Sequence, residues 1–119
     1  MSPRFTVLFV EDDVGVREST AAILAQHGVR LFVARDGYEA LDVIAQEHVD
    51  VLSTDVVMPD LNGIDLAKRA LGHQPDLKVI FMTAYYSRAA EAQRLGKLLF
   101  KPLRAREIEA ELDELLAMR

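Results

Sequence analysis

The chain has no cysteine. That excludes a disulfide framework and any thiolate metal centre, and it fits a reducing compartment. Basic residues are in the minority, 14 Lys and Arg against 19 Asp and Glu, for a formal net charge of −5. No basic cluster stands out, so direct nucleic-acid binding is not expected. Long apolar runs are missing as well. None approaches the roughly 20 residues of a membrane span. The N-terminal run, Phe5 to Val10, is too short for a signal peptide and ends in acids. The expectation is a cytoplasmic chain with no membrane partner. Linkers, low-complexity tracts and internal repeats are absent too. A length of 119 residues suits one domain. A domain of that size buries about 65% of its unfolded surface. Half of the residues are hydrophobic, which argues against disorder.

What is present centres on Val49 to Gly63, V-D-V-L-S-T-D-V-V-M-P-D-L-N-G. Val49, Val51 and Leu52 form a short apolar run rich in β-branched residues, which favours a buried strand. Asp55 ends that run, and is expected at the strand's C-terminal edge, facing solvent. Met58-Pro59 stops regular structure, because proline lacks an N–H and restricts the residue before it. Asp60 to Gly63 supplies turn chemistry.

The rest of the chain alternates in the same way. Phe5 to Val10 reads as a strand buried on both faces, followed by Glu11-Asp12-Asp13. Asp13 suits a helix N-cap. Val16, Thr20, Ile23, Leu24 and His27 recur at helical spacing from Val14 to His27, with Arg17 elsewhere on the wheel, and Gly28 closes the helix. Val29 to Ala34 is a second strand, and Tyr38 to His48 a helix with Leu41, Ile44 and Ala45 on one face. A third helix runs from Gly63 to Gly72, a fourth strand from Leu77 to Met82, and a short helix from Ser87 to Leu95. Lys97 to Phe100 is a fifth strand. Ile108, Leu112, Leu115 and Leu116 mark a last amphipathic helix, whose acidic outer face (Glu107, Glu109, Glu111, Asp113, Glu114) is expected to be solvated. Five strand–helix repeats imply parallel strands, right-handed crossovers and helices on both faces of an open, doubly wound α/β sheet.

In such a sheet of order 2-1-3-4-5, strands 1 and 3 flank the topological switch point, where sites form outside the carboxyl ends. Glu11, Asp12 and Asp55 would then share one crevice. Carboxylates that close repel unless neutralised. A hard divalent cation with few protein ligands answers this, and Mg²⁺ is the best match because it keeps waters and meets phosphate. Thr83 brings a hydroxyl to the same edge, and Lys101 a compact positive charge suited to a phosphoryl oxygen. Together these groups point to phosphoryl acceptance, with Asp55 as nucleophile.

Glu11-Asp12 after the first strand, Asp55 followed by Val-Val-Met-Pro and Gly63, Thr83-Ala84, and Lys101-Pro102 stand in order, each beside a strand end. In this the chain resembles the receiver domain of two-component response regulators, the CheY-like family, over essentially its whole length. The resemblance implies a flavodoxin-like (βα)5 fold, one receiver domain over 1–119 and no output domain. It also implies a phosphoryl group taken by Asp55 from a sensor histidine kinase or a histidine phosphotransferase. Mg²⁺ would be held by Asp12 directly, Glu11 partly through water, Asp55, and the backbone carbonyl of Val57. Thr83 would hydrogen-bond the phosphoryl group, Lys101 would pair with its oxygens, and the Lys101-Pro102 bond would be cis. The expected outcome is a switched surface on helix 4, strand 5 and helix 5 that a downstream protein reads, without further enzymatic activity.

Three features depart from the family pattern. Leu98 stands where an aromatic switch residue is usual, and Phe100 is expected to be core. Thr83 and Lys101 are only 18 positions apart, so helix 4 or the loop after it must be short and the partner surface atypical. Val57 and Tyr85 offer no carboxylate or amide to orient a water, so self-hydrolysis should be slow. Three rival readings fit these residues less well. A degenerate receiver acting only as a binding module would not need the full set of acids, Thr83 and Lys101. An aspartate-nucleophile phosphatase needs a second acid where Val57 stands. A flavodoxin-like nucleotide binder needs a Gly/Ser/Thr loop where the three acids stand.

Overall fold

The computed structural model describes residues 5–85, 87–101 and 103–117, without the side chains of residues 105 and 116. Pro102, and with it the isomer expected of the Lys101-Pro102 bond, lies outside the described residues, as does Tyr86. The elements are β1 (Thr6–Val10), α1 (Val14–Ala25), β2 (Arg30–Ala34), α2 (Gly37–Gln46), β3 (Val51–Asp55), α3 (Gly63–His73), β4 (Lys78–Thr83), α4 (Ala89–Leu95), β5 (Lys97–Phe100) and α5 (Ala105–Ala117). All strand pairs are parallel, in the order β2-β1-β3-β4-β5. This is the doubly wound sheet that alternating strands and helices require.

The pleat divides the strands between two cores. Leu8, Val10 and Leu52 join Ile44, Ile64, Leu66, Ala67 and Ala92, on the side of α2, α3 and α4. Val7, Phe9 and Val51 join Leu24, Ile108 and Leu112, on the side of α1 and α5. With both faces covered, β1 and β3 are buried at every residue, hence the consecutive apolar residues Val7 to Val10 and Val51-Leu52. Each fully buried Val, Leu or Phe there contributes about 1.5–3 kcal/mol.

Three loops at the carboxyl edge end in side-chain caps. Asp13 accepts from the Val16 amide at 2.9 Å, Asp36 from Glu39 at 2.8 Å and Asn62 from Asp65 at 2.9 Å. Each cap satisfies a helix-end N–H and contributes about 1 kcal/mol.

Several boundaries differ from the sequence reading, for local reasons. α1 stops at Ala25, because Gln26 and His27 donate three residues back, to Ile23 and Leu24, before Gly28 turns at φ 69°. Only Leu24 of its expected face is buried, and Val16 is 38% exposed. α2 ends at Gln46, since Glu47 is extended; Ile44 faces inward as expected, but Ala45 is exposed, and Gly37 and Ala40 are buried. β3 starts at Val51 because the Val49 amide donates to the Gln74 side chain rather than to a ladder. Gln74, at the end of α3, also donates to Ile44 and Glu47, tying the end of α2 to the end of α3. α4 is short, as expected. It begins at Ala89, after Arg88 at φ 64°, and has 7 residues. The outer face of α5 is not purely solvated: Glu109 lies 3.7 Å from His27, and Glu111 lies 3.6 Å from Lys97.

β5 is an edge strand. Leu98 is half-buried against the α4-side core, but Phe100, two residues along, is 37% exposed rather than core. The short α4 reaches the first of these residues and leaves the second partly exposed.

Candidate functional site

Adjacent strands place the acids. Val10 is in register with Thr54, so the residues that follow, Glu11 and Asp55, leave β1 and β3 side by side. Both continue the odd-numbered series that faces α1 and α5. Oxygens of Glu11, Asp12 and Asp55 all lie within 4.8 Å of one another. The expected convergence of three carboxylates is therefore present. Asp12 is exposed, whereas Glu11 is 1% exposed and Asp55 8%. Asp55 thus does not face solvent openly. It sits at the floor of the crevice, because the loop after β3 folds back: Gly63 donates to Val56 at 2.8 Å.

Lys101 reaches into this cluster from the end of β5, where its amide bonds Thr83 at 2.8 Å. Its ammonium lies 2.7 Å from Asp55 Oδ2 and 2.8 Å from Glu11 Oε1. The remaining oxygens are also held. Asp55 Oδ1 accepts from the Val57 amide and Glu11 Oε2 from the Asp13 amide, both at 3.2 Å. Burial pushes the Glu11 carboxyl upward, and the hydrogen bonds from Lys101 and Asp13 offset only part of the rise. For Lys101, burial opposes the charge, but its hydrogen bonds to Asp55 and Glu11 outweigh that and raise its pKa. The lysine therefore stays an ammonium, one positive charge shared between two carboxyl groups.

Thr83 is 1% exposed at the end of β4, and its Oγ1 accepts from the Tyr85 amide at 3.1 Å. Val57 and Tyr85 flank the crevice, 49% and 57% exposed. Every residue expected at the site is at this edge. One contributor was not anticipated. The Arg17 side chain turns back from α1 and donates to the carbonyls of Glu11 at 3.0 Å and Asp12 at 3.4 Å. Helical spacing only placed it off the core face. An arginine one turn into a helix that follows an acidic loop was the available signal.

Hard carboxylate oxygens around an open position suit Mg²⁺. Among the described residues there is no helix long and apolar enough to cross a membrane.

Comparison with known proteins agrees with this geometry. The family model for the response regulator receiver domain matches residues 7–113. The response regulator receiver protein CpdR of Brucella abortus is 33% identical over 92% of this chain and 95% of its own length. The response regulator MprA of Mycobacterium tuberculosis is 36% identical over 92% of this chain, which spans only 50% of MprA. Among solved structures, a CheY-like receiver domain protein from Methanospirillum hungatei superposes with a TM-score of 0.86. It is 27% identical, and the match covers 98% of this chain and 100% of that one.

Proposed function

The chain belongs to the response regulator receiver domain family of two-component signalling, and from that premise we propose that Asp55 is its phosphoacceptor. The observation that carries this is the Lys101 ammonium, held between Asp55 at 2.7 Å and Glu11 at 2.8 Å. It holds the Asp55 carboxyl in place, and it stands ready to shift to a phosphoryl oxygen.

The donor is a phosphohistidine on a sensor kinase or a histidine phosphotransferase. An Asp55 oxygen forms the new O–P bond as the P–N bond breaks, and the imidazole leaves with the electron pair and takes a proton. The transition state is loose, so positioning and charge neutralisation do most of the work. Asp12, Glu11, Asp55 and the Val57 carbonyl are the groups that would hold Mg²⁺, with Glu11 acting partly through water. Bound there, the ion supplies positive charge to the phosphoryl oxygens. Lys101 pairs with the same oxygens, and Thr83 rotates its hydroxyl away from the Tyr85 amide to bond them. That movement is the start of a population shift at the α4–β5–α5 face. Leu98 replaces the usual aromatic there, so the downstream protein meets a surface with a short α4 and a partly exposed Phe100. Val57 and Tyr85 orient no water, so the acyl phosphate hydrolyses slowly.

The test is incubation with acetyl phosphate, with and without Mg²⁺, and intact mass read beside Asp55→Ala. A Mg²⁺-dependent gain of one phosphoryl group, absent in the variant, is the expected result. No gain under any condition would leave a binding module without phosphorylation. A gain that survives in Asp55→Ala would move the acceptor elsewhere.

A further inference from the structure

We infer that Arg17 is a positioning residue for the cation site, through its hold on the main chain that presents Glu11 and Asp12. The inference rests on the metal reading above.

The connection from Val10 to Val14 contains only three acids. Two are well anchored. The Glu11 amide donates to the Ala34 carbonyl at 3.1 Å, and Asp13 caps α1. Asp12 lies between them and is exposed. Among the described residues its one hydrogen bond is the 3.4 Å contact of its carbonyl with Arg17. The guanidinium bridges that carbonyl and the neighbouring Glu11 carbonyl, at 3.0 Å. Both bonds come from Nη1, which sits between two successive carbonyls at the end of a rigid, planar group. Both contacts go to main-chain oxygens, so Arg17 takes no carboxylate oxygen of Glu11 or Asp12 away from a cation. Half-buried itself, Arg17 stiffens the peptide that aims Asp12 into the crevice.

Charge and positioning predict opposite signs. A guanidinium near a dication repels it, so an arginine acting only by charge would weaken Mg²⁺ binding, and its removal would tighten it. An arginine that holds a ligand loop strengthens binding, and residues supporting metal ligands in this way change affinity by about 10–100-fold.

The experiment is calorimetric titration of the metal-free protein with MgCl₂, for wild type, Arg17→Ala, Arg17→Lys and Asp12→Asn, beside urea unfolding in EDTA. Loss of binding in Asp12→Asn ties the signal to this site. The expected result is a Kd raised about tenfold in Arg17→Ala, with unchanged metal-free stability, and a smaller rise in Arg17→Lys. An equal or tighter Kd in Arg17→Ala would overturn the inference. If Arg17→Ala does not fold, Arg17→Lys decides, and wild-type affinity there would overturn it as well. If the wild type takes no Mg²⁺, the metal reading itself fails and this inference falls with it.

Discussion

Replacing Gly63 by alanine should strike fold and site together. A Cβ there would lie 1.9 Å from the Asp55 carbonyl oxygen, 2.9 Å from its carbonyl carbon and 3.1 Å from Val56 Cα. Comfortable separation is about 3.5 Å, so the start of α3 must retreat from the end of β3 by roughly 1.5 Å. All three obstacles are backbone, which cannot rotate aside. The retreat stretches the 2.8 Å bond from the Gly63 amide to Val56. Overpacking costs about 1–3 kcal/mol, and a stranded polar group a similar amount. Better helix propensity returns about 1 kcal/mol at most. The net loss should be about 3 kcal/mol, against a total stability of about 5–15 kcal/mol for a domain. With a urea slope of about 2 kcal/mol/M, the midpoint falls by roughly 1.5 M. Urea unfolding followed by circular dichroism reads this directly. Gly72→Ala is the internal control. It lies in the same helix with nothing within 4 Å of its added Cβ, so it should stabilise by about 0.5–1 kcal/mol. A Gly63→Ala midpoint within about 0.25 M of wild type, or 0.5 kcal/mol at that slope, would refute the close-approach reasoning.

Gln74→Ala removes three hydrogen bonds, to Val49, Ile44 and Glu47, at 2.9, 2.9 and 2.8 Å. It should cost about 2 kcal/mol in urea unfolding, and a change within 0.5 kcal/mol would mean that water replaces the amide fully. Mg²⁺ at 100 times its Kd should add about 2.7 kcal/mol of stability, removed by EDTA and missing in Asp12→Asn; an identical gain in Asp12→Asn would place the ion elsewhere. Glu91 holds Arg88 and Lys68, and these hydrogen bonds lower its pKa from 4.5. A lowered folded-state value contributes stability above pH 4.5 that is lost as pH falls below it. The gap between wild type and Glu91→Gln should therefore close on acidification and with added salt, and a gap that widens in acid would contradict the sign.

The order of elements was legible because strands and helices carry different periods. Val7 to Val10 and Val51-Leu52 carry apolar residues at successive positions because the sheet is covered on both faces. The site's members were legible as chemistry at strand ends: acids just after β1 and at the end of β3, a hydroxyl at the end of β4, a lysine just after β5. Less legible were relations that depend on what lies above a strand. Asp55 reads as a solvent-facing acid, yet is 8% exposed, since the loop to Gly63 folds back over it. Phe100 reads as core, yet the seven-residue α4 leaves it partly uncovered. Ala45 and Val16 have apolar side chains at helical spacing, but spacing does not say how closely a helix approaches the sheet.

By itself the sequence determined the alternation of elements, the parallel sheet that alternation implies, and the kinds of groups carried to its carboxyl edge. These follow from local periodicity and from where acids, proline and glycine interrupt it. Tertiary structure decided the pairing of Lys101 with both Glu11 and Asp55, 90 and 46 positions away. It also decided the reach of Arg17 onto the acidic loop, the reach of Gln74 across two connections, and the need for a bare α-carbon at Gly63. Each of these depends on distances between segments remote in the chain or on the direction of a long side chain. Both are set only when the sheet, its twist and its covering helices close around a common core.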